Sequence, residues 1–560
     1  MSTSTQPTRE MTPAYLQQAY QRLIDSLPKA EGTAVEWEDL FWRWNDLKCW
    51  ISGEFSRRHF KEMQDSRDKS AEDAMRYMRE QILPLAETSD ATLREAFLQS
   101  PARAGLEAAL SQHLFTKLEL DQEAFVPDNV ALQTQEGEIS SQYERVRGGA
   151  EVVVNGETLT LTRANAKLTD SDRAVRQAAW EAANAWELDH RAQMHGIYDE
   201  LVTLRQQMAI NKGESNFVPL GYRRMGRTDY GPAEVRAFRD GIREHVTPLL
   251  KRFREAQARD LGTEAVRPWD AAYYPNLSLG PNVVPVENQL AQAQTLFDRL
   301  NPTLAGHFKT MVDGGLIDLE NRPGKCAGAF ATAFEDEGKV VIFCNSTGTE
   351  GDVTTLTHEM GHAFQGWESR PIRSVDLRWP TSDACEIHSM GMEFLALKEI
   401  TAFFTPEDAK RFRRLKLIRT LTLLPYIAVV DAFQHWVYEH PGHTHAEREA
   451  AWVEAWDTYN PGIDYTGLED AKQTRWMRQP HIFVMPFYYI DYAIAEVGAL
   501  QLWRMAEEDH DKAMTAYLEL CRIGGTRSVL GVFAAGGLKS PFEPDVFKPL
   551  MDAVAAELGV

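Results

Sequence analysis

The chain runs to 560 residues, 43% apolar and 25% charged, with 82 acidic against 60 basic side chains and a net charge of −22. This is a globular balance, with enough apolar material for one large core or several. So large a negative excess excludes a protein whose main partner is nucleic acid or an anionic membrane.

The start, "MSTSTQPTREMTPAYLQQAY", has no basic stretch followed by an apolar one, so no secretory signal is expected. Residues 12–120 read as helices, with apolar residues three and four apart in "AEDAMRYMREQILPLAE" and "ATLREAFLQSPARAGLEAALSQHLF". Residues 136–165 change character: a β-branched run, an "NG" pair and an alternating "TLTLT" predict a hairpin. Helical periodicity returns at "LTDSDRAVRQAAWEAANAWELDHRAQ", with Asp170 or Ser171 as the expected cap. A second non-helical island spans 321–349, where "AGAFATAF" and "KVVIFCN" flank the turn "EDEGK".

Helices follow almost to the end, broken by "EHPGHTHAE" and by "RIGGTRSVLGVFAAGGLKSPFEP". The first break holds His440, His443 and His445 among Pro and Gly and is expected to be an exposed loop without a carboxylate partner. The longest apolar run, "LLPYIAVVDAF", is too short to span a bilayer and contains Pro425 and Asp431. Five scattered cysteines without CxxC spacing argue against a disulfide framework and make the cytoplasm the expected compartment. Among them, Cys385 is expected to be a small buried thiol. The expected fold is mainly α, a large helical body with small β-sheet insertions. An N-terminal helical region over residues 1–165 ends in the hairpin, and residues 166–560 form the larger remainder.

The chemistry concentrates in "TTLTHEMGHAFQ", residues 354–365. On a helix, His358 and His362 face the same way and can share one ion. Imidazole suits Zn²⁺, and a catalytic zinc takes three protein ligands plus a water. Glu359 then projects near the open position, where it can take a proton and pass it to a leaving amine. The competing reading is a partly buried helix with two satisfied core histidines. Downstream, "WPTSDACEIHSMGMEFLAL" places Asp383, Glu386 and Glu393 three and seven apart, on roughly one helical face among apolar neighbours. Carboxylates in such surroundings call for a cation. Glu386 is the candidate third ligand, with Asp383 and Glu393 orienting the histidines and His388 structural or substrate-lining.

"HEMGHAFQ", followed by Glu386 in "DACEIHSMGME" 24 residues after His362, resembles the thimet oligopeptidase and oligoendopeptidase F family of zinc peptidases. The segment "GKCAGAFATAF…VVIFCNSTGTEGDVTTLTHEMGHAF" and "HIFVMPFYYIDYAIAEVGALQ" at 481–501 are similar to that family as well. The resemblance covers about residues 320–540 and continues more weakly before them. It implies two mostly helical halves around a deep channel and a metallopeptidase catalytic region within 166–560. It implies one zinc per chain on His358, His362 and Glu386, with Glu359 as general base and acid. His481 with Tyr488 or Tyr492 would approach the substrate carbonyl, although aromatic packing is the alternative reading of "FYYIDY". Residues 324–334, with Gly328, Ala329 and Phe330, would offer a strand edge to an extended peptide, or else only turn the chain. Gln365 stands where family members often carry another histidine.

The function implied is hydrolysis of internal bonds in short unstructured peptides. An exopeptidase on the same scaffold would need a cation for the substrate's terminal carboxylate, and Arg370, Arg373, Arg475 and Arg478 are its candidates. A zinc-containing peptide-binding protein without catalysis is the third reading, opposed by the presence of Glu359. Co²⁺ or Mn²⁺ would suit the same donors.

Overall fold

The computed structural model describes residues 10–28, 32–280 and 282–560. It is mainly helical, as the periodicity predicts. The first long helix, α1 (Ala34–Gln64), opens with a capping box in which Thr33 and Glu36 exchange hydrogen bonds. The N-terminal helices close around their own cluster of buried residues, including Leu40, Phe41, Trp44, Leu93, Phe97 and Phe115.

The helical pattern persists further than expected before the hairpin. Helix α2 (Val130–Gly148) absorbs the first part of the predicted β segment, and only β1 (Glu151–Val154) and β2 (Glu157–Thr160) pair. Asn155 and Gly156 both take positive φ, 52° and 84°, which is what a two-residue turn between right-twisted strands demands. The helix that follows at Arg173–Asp189 is capped by Asp172, whose side chain accepts from Ala174 N–H. Neither Asp170 nor Ser171 is that cap; Asp170 instead accepts from the Asp172 N–H.

The second island belongs to a three-stranded sheet of β3 (Ile317–Glu320), β4 (Phe330–Phe334) and β5 (Lys339–Ser346), in the order β3–β5–β4. Strands β4 and β5 form the expected antiparallel pair, and β3 adds in parallel on the far side. The parallel strand is too short and too polar for its sequence to signal it. β5 runs directly into α3 (Glu350–Ser369), and α4 (Ser382–Leu395) packs across α3.

Two long helices back this pair. Helix α5 (Pro406–Glu439) carries the apolar run and accommodates Pro425 within its buried interior, while α6 (Tyr489–Glu508) packs along α4. All of α4 from Asp383 to Leu395 is buried except Cys385, so the acidic residues on it sit inside the protein.

The N-terminal cluster meets the sheet through α1. Phe60 packs edge-on against Phe330, Phe334 and Phe343, Thr332 Oγ1 lies 3.1 Å from Ser56 Oγ, and Arg57 binds Asp336 at 2.7 Å. The histidine loop at 440–445 does find a carboxylate: His445 Nε2 lies 2.7 Å from Asp199 Oδ2, and its ring stacks on His195. All five cysteines are free, and no helix of the described residues is long and apolar enough to cross a membrane.

Candidate active site

The turn from β5 into α3 is set by Asp352. Its carboxylate accepts the backbone N–H of Thr347 at 2.8 Å, Gly348 at 2.6 Å and Thr349 at 3.0 Å, and the Gln289 amide at 3.0 Å. A carboxylate in the first turn also suits the positive end of the helix dipole. Six residues further on, His358 and His362 project together, with ring centres 5.0 Å apart.

What brings the third group to them is a glycine. A Cβ on Gly361 would stand 2.5 Å from the carbonyl oxygen of His388 and 2.6 Å from the Cα of Ser389, so α3 and α4 meet backbone to backbone only because that side chain is missing. Glu386 Oε2 then lies 3.4 Å from His358 Nε2 and 3.5 Å from His362 Nε2. One ligand atom from each of the three falls within 4.8 Å of the others. Burial opposes charge on all three residues. Hydrogen bonds to Glu386 and Glu393 nevertheless push His358 up to about 10, and the two imidazoles hold Glu386 well below the usual carboxylate range.

Glu359 is 5% exposed and its Oε2 has no hydrogen-bond partner among the described residues. Burial raises its carboxyl above the ordinary range, against the pull of His358 and His362. A buried, unpaired carboxylate oxygen is costly and calls for an explanation. It stands as a free base beside His358, His362 and Glu386, whose two imidazoles and one carboxylate fit a divalent transition metal with a water to be activated.

Behind the ligand atoms, His358 Nδ1 lies 2.8 Å from Glu393 Oε1, and the other Glu393 oxygen accepts from Lys416 Nζ at 3.0 Å. The expectation for Asp383 differs: its carboxylate accepts from the Tyr230 hydroxyl at 2.6 Å and from Thr381, not from a histidine. Cys385 stands in that place, its Sγ 3.3 Å from His362 Nδ1, and it borders the cleft rather than lying fully buried. His388 is buried at the helix crossing, pushed down to about 4 by burial, and does not line the cleft. Gln365 is also buried, donating to Ser369 Oγ and to the Arg378 carbonyl.

Tyr488 reaches Glu386, and Tyr492 reaches Tyr488. The Tyr488 hydroxyl lies 3.2 Å from Glu386 Oε1 and 3.0 Å from the Tyr492 hydroxyl. The His481 ring is 5.6 Å from the Tyr488 ring and 6.0 Å from that of Tyr492, and burial pushes its imidazole down to about 4. Phe487, just before, has φ +67°, a strained value for a bulky side chain. Arg227 donates to its carbonyl at 2.5 Å, and its own N–H donates to Gln434 at 3.0 Å. Surrounding bonds of this kind sustain strain at a site, and here they aim Tyr488 at Glu386. Arg227, Gln434, Lys416 and the strained Phe487 carry no local signal in the sequence.

These groups open on a cleft of about 670 Å³ lined by His358, Glu359, His362, Cys385, Glu386, Tyr488 and Tyr492. One wall is Ala329–Ala333 of the 324–334 island, including Ala329 and Phe330; the other includes Ser52, Phe55 and Ser56 of α1. Gly328 sits just outside the wall with φ +103°. Strand β4 pairs with β5 alone, which leaves its second edge unpaired among the described strands. No Lys or Arg lines this cleft among the described residues. Arg478 is held by Glu187 at 2.6 Å, and Arg370, Arg373 and Arg475 lie over the rings of Trp367, Trp42 and Trp456. A larger cavity of about 1200 Å³, between the hairpin and α5, has no histidine or cysteine in its wall among the described residues.

The model of peptidase family M3 matches residues 167–550, and that of the M3 N-terminal domain matches residues 7–125. Oligoendopeptidase F, chromosomal, of Lactococcus lactis subsp. cremoris is 26% identical over 220 residues; the match covers 38% of this chain and only 35% of that relative's length. Among solved structures, PZ peptidase A with inhibitor 2 superposes with a TM-score of 0.92 at 32% identity, over 99% of both chains. A putative oligoendopeptidase F from Bacillus anthracis str. Ames gives a TM-score of 0.88 at 30% identity, over 100% of this chain and 98% of the other. With the family matched over most of its length and the likeness extending end to end, the chain belongs to peptidase family M3, a family of metallopeptidases.

Proposed function

We propose that the protein is a zinc-dependent oligopeptidase, found in the cytoplasm, that cuts internal bonds of short, extended peptides. The observation that carries this reading is the unpaired, buried Oε2 of Glu359 beside His358, His362 and Glu386. His358, His362 and Glu386 would hold one zinc ion. When bound, zinc acidifies water and polarises a carbonyl oxygen.

Glu359 takes the proton from the attacking water, and its raised affinity for protons suits it to hold that proton and release it to the departing amine. The hydroxyls of Tyr488 and Tyr492 line the cleft, and with the His481 imidazole packed against their rings they would donate to a developing oxyanion. One such donor is worth roughly 3 kcal/mol. The unpaired edge of β4 takes the peptide as an added strand, which recognises backbone rather than sequence.

Internal cleavage is favoured over carboxypeptidase action because, among the described residues, the cleft wall offers no Lys or Arg to a terminal carboxylate. The catalytically silent reading is disfavoured by Glu359, since a purely structural metal site has no use for an unpaired base.

The test is digestion of unstructured peptides of about 5 to 20 residues by the zinc-loaded protein, with products identified by mass spectrometry alongside a chelator control and Glu359→Gln. Internal fragments lost in both controls are expected. Serial shortening from one end would move the reading to an exopeptidase. No cleavage by the loaded wild type would leave a metal site of another purpose.

A further inference from the structure

Two residues before His481, and absent from any motif, Gln479 is buried at 7% exposure at the start of the short helix Pro480–Val484. Its side chain is held at both ends. The Tyr426 hydroxyl donates to its Oε1 at 3.1 Å, and its Nε2 lies 2.5 Å from His481 Nδ1. An amide nitrogen is a donor only, so Nδ1 has to accept and the ring proton has to sit on Nε2. The reverse orientation of the amide is opposed by Tyr426. Its ring is packed among Trp452, Trp456 and Tyr489, and Gln479 Oε1 is the hydrogen-bond acceptor its hydroxyl finds among the described residues. Turning the amide would take from the Tyr426 hydroxyl the side-chain acceptor it has among the described residues.

We propose that Gln479 is a positioning residue: anchored by Tyr426, its amide sets His481 as the Nε2–H tautomer, so that a neutral imidazole N–H is presented to the substrate carbonyl. This rests on the oligopeptidase reading for what the donor is used for, but not for the tautomer itself. The design differs from the commoner one, in which a carboxylate accepts from Nδ1–H and stabilises a positive ring. An amide donor does the opposite. It disfavours the imidazolium, because the protonated ring would bring two N–H groups face to face. His481 therefore offers a hydrogen bond that is not replaced by proton transfer. Proton traffic is left to Glu359.

The test uses the full-length, zinc-loaded protein labelled with ¹⁵N at histidine, with His481→Gln to assign its signals. In the wild type, Nδ1 is expected in the unprotonated range of ¹⁵N shifts and Nε2 in the protonated range. Gln479→Glu replaces the amide by an acceptor. The ring is then expected to carry a proton on Nδ1, and kcat on a peptide substrate to fall about tenfold or more, with KM changed less than about twofold. Tyr426→Phe frees the amide to turn, so both tautomers are expected, with an intermediate loss in kcat. A wild-type His481 protonated on Nδ1 would overturn the proposal. So would a Gln479→Glu variant that keeps both the tautomer and kcat. If Gln479→Glu does not fold, the wild-type spectrum and Tyr426→Phe still decide the matter. If the loaded wild type cuts no peptide, the oligopeptidase reading falls while the spectrum judges Gln479 separately.

Discussion

His358 Nδ1 and Glu393 Oε1 lie 2.8 Å apart, joining α3 to α4 across 35 residues of sequence. The bond leaves Nε2 as the free face of His358, turned toward Glu386. An imidazole that donates to a carboxylate from one nitrogen is oriented and made more basic at the other. Glu393→Gln keeps the shape but removes the charge that both His358 and Lys416 lean on. Zinc affinity, measured by competition with a chromogenic chelator, is expected to fall by about 10- to 100-fold. An unchanged affinity would mean that Glu393 serves only to neutralise Lys416.

Glu359 separates activity from stability. Its Oε2 makes no hydrogen bond among the described residues, and burial disfavours its charge, so little holds it in place except what it does. Glu359→Gln is expected to lower kcat by about 10²- to 10⁴-fold while zinc content stays at wild-type level. Its melting temperature should be equal or higher, since an unpaired buried charge has been removed. A variant that loses both zinc and thermal stability would assign Glu359 a structural role instead.

The sequence reached the centre of this site but not its supports. His358, Glu359 and His362 lie within five consecutive positions of one helix, so a local period reveals them, and Glu386 follows from acidic residues among apolar neighbours. Asp383 shows the limit of that argument. It shares the face and the surroundings of Glu386, yet its carboxylate is taken up by Tyr230, a contact across 153 residues that no local pattern encodes. Cys385 beside His362, Lys416 behind Glu393, and Arg227 and Gln434 around Phe487 are likewise long-range. The hairpin was recognisable from Asn155–Gly156 because turn chemistry is local. Its length was overestimated because the polar residues of α2 carry little helical signal, and tertiary packing decided the matter.

Gly361 is the point at which the two ligand-bearing helices touch. Gly361→Ala would place a methyl group 2.5 Å from the His388 carbonyl oxygen, and backbone cannot give way as a flexible side chain can. The helices would have to separate, at a cost of roughly 1–3 kcal/mol or more. Thermal unfolding of the zinc-free protein is expected to shift down. Zinc affinity should fall as well, because the same movement draws Glu386 from the histidines. Unchanged melting would show that the crossing is looser than this geometry.

The pH dependence distinguishes His481 from an ordinary histidine. Burial pushes its imidazole from the usual value near 6.5 down to about 4, with Glu386 only partly opposing. A lowered imidazole value disfavours the charged form, so His481 stays neutral above about pH 4. The ratio of kcat/KM between wild type and His481→Ala is therefore expected to be large but flat from roughly pH 5.5 to 8, without a step near 6.5. The sign for stability follows from the same shift. Between about 6.5 and 4 the unfolded chain binds a proton at this position and the folded one does not, so the residue's contribution is present at neutral pH and is lost as pH falls through that window. His481→Ala should consequently melt with a weaker acid dependence between pH 6.5 and 4 than the wild type. A step in the activity ratio near 6.5 would show that the ring titrates as an exposed histidine does, and would remove burial as the reason for its neutrality.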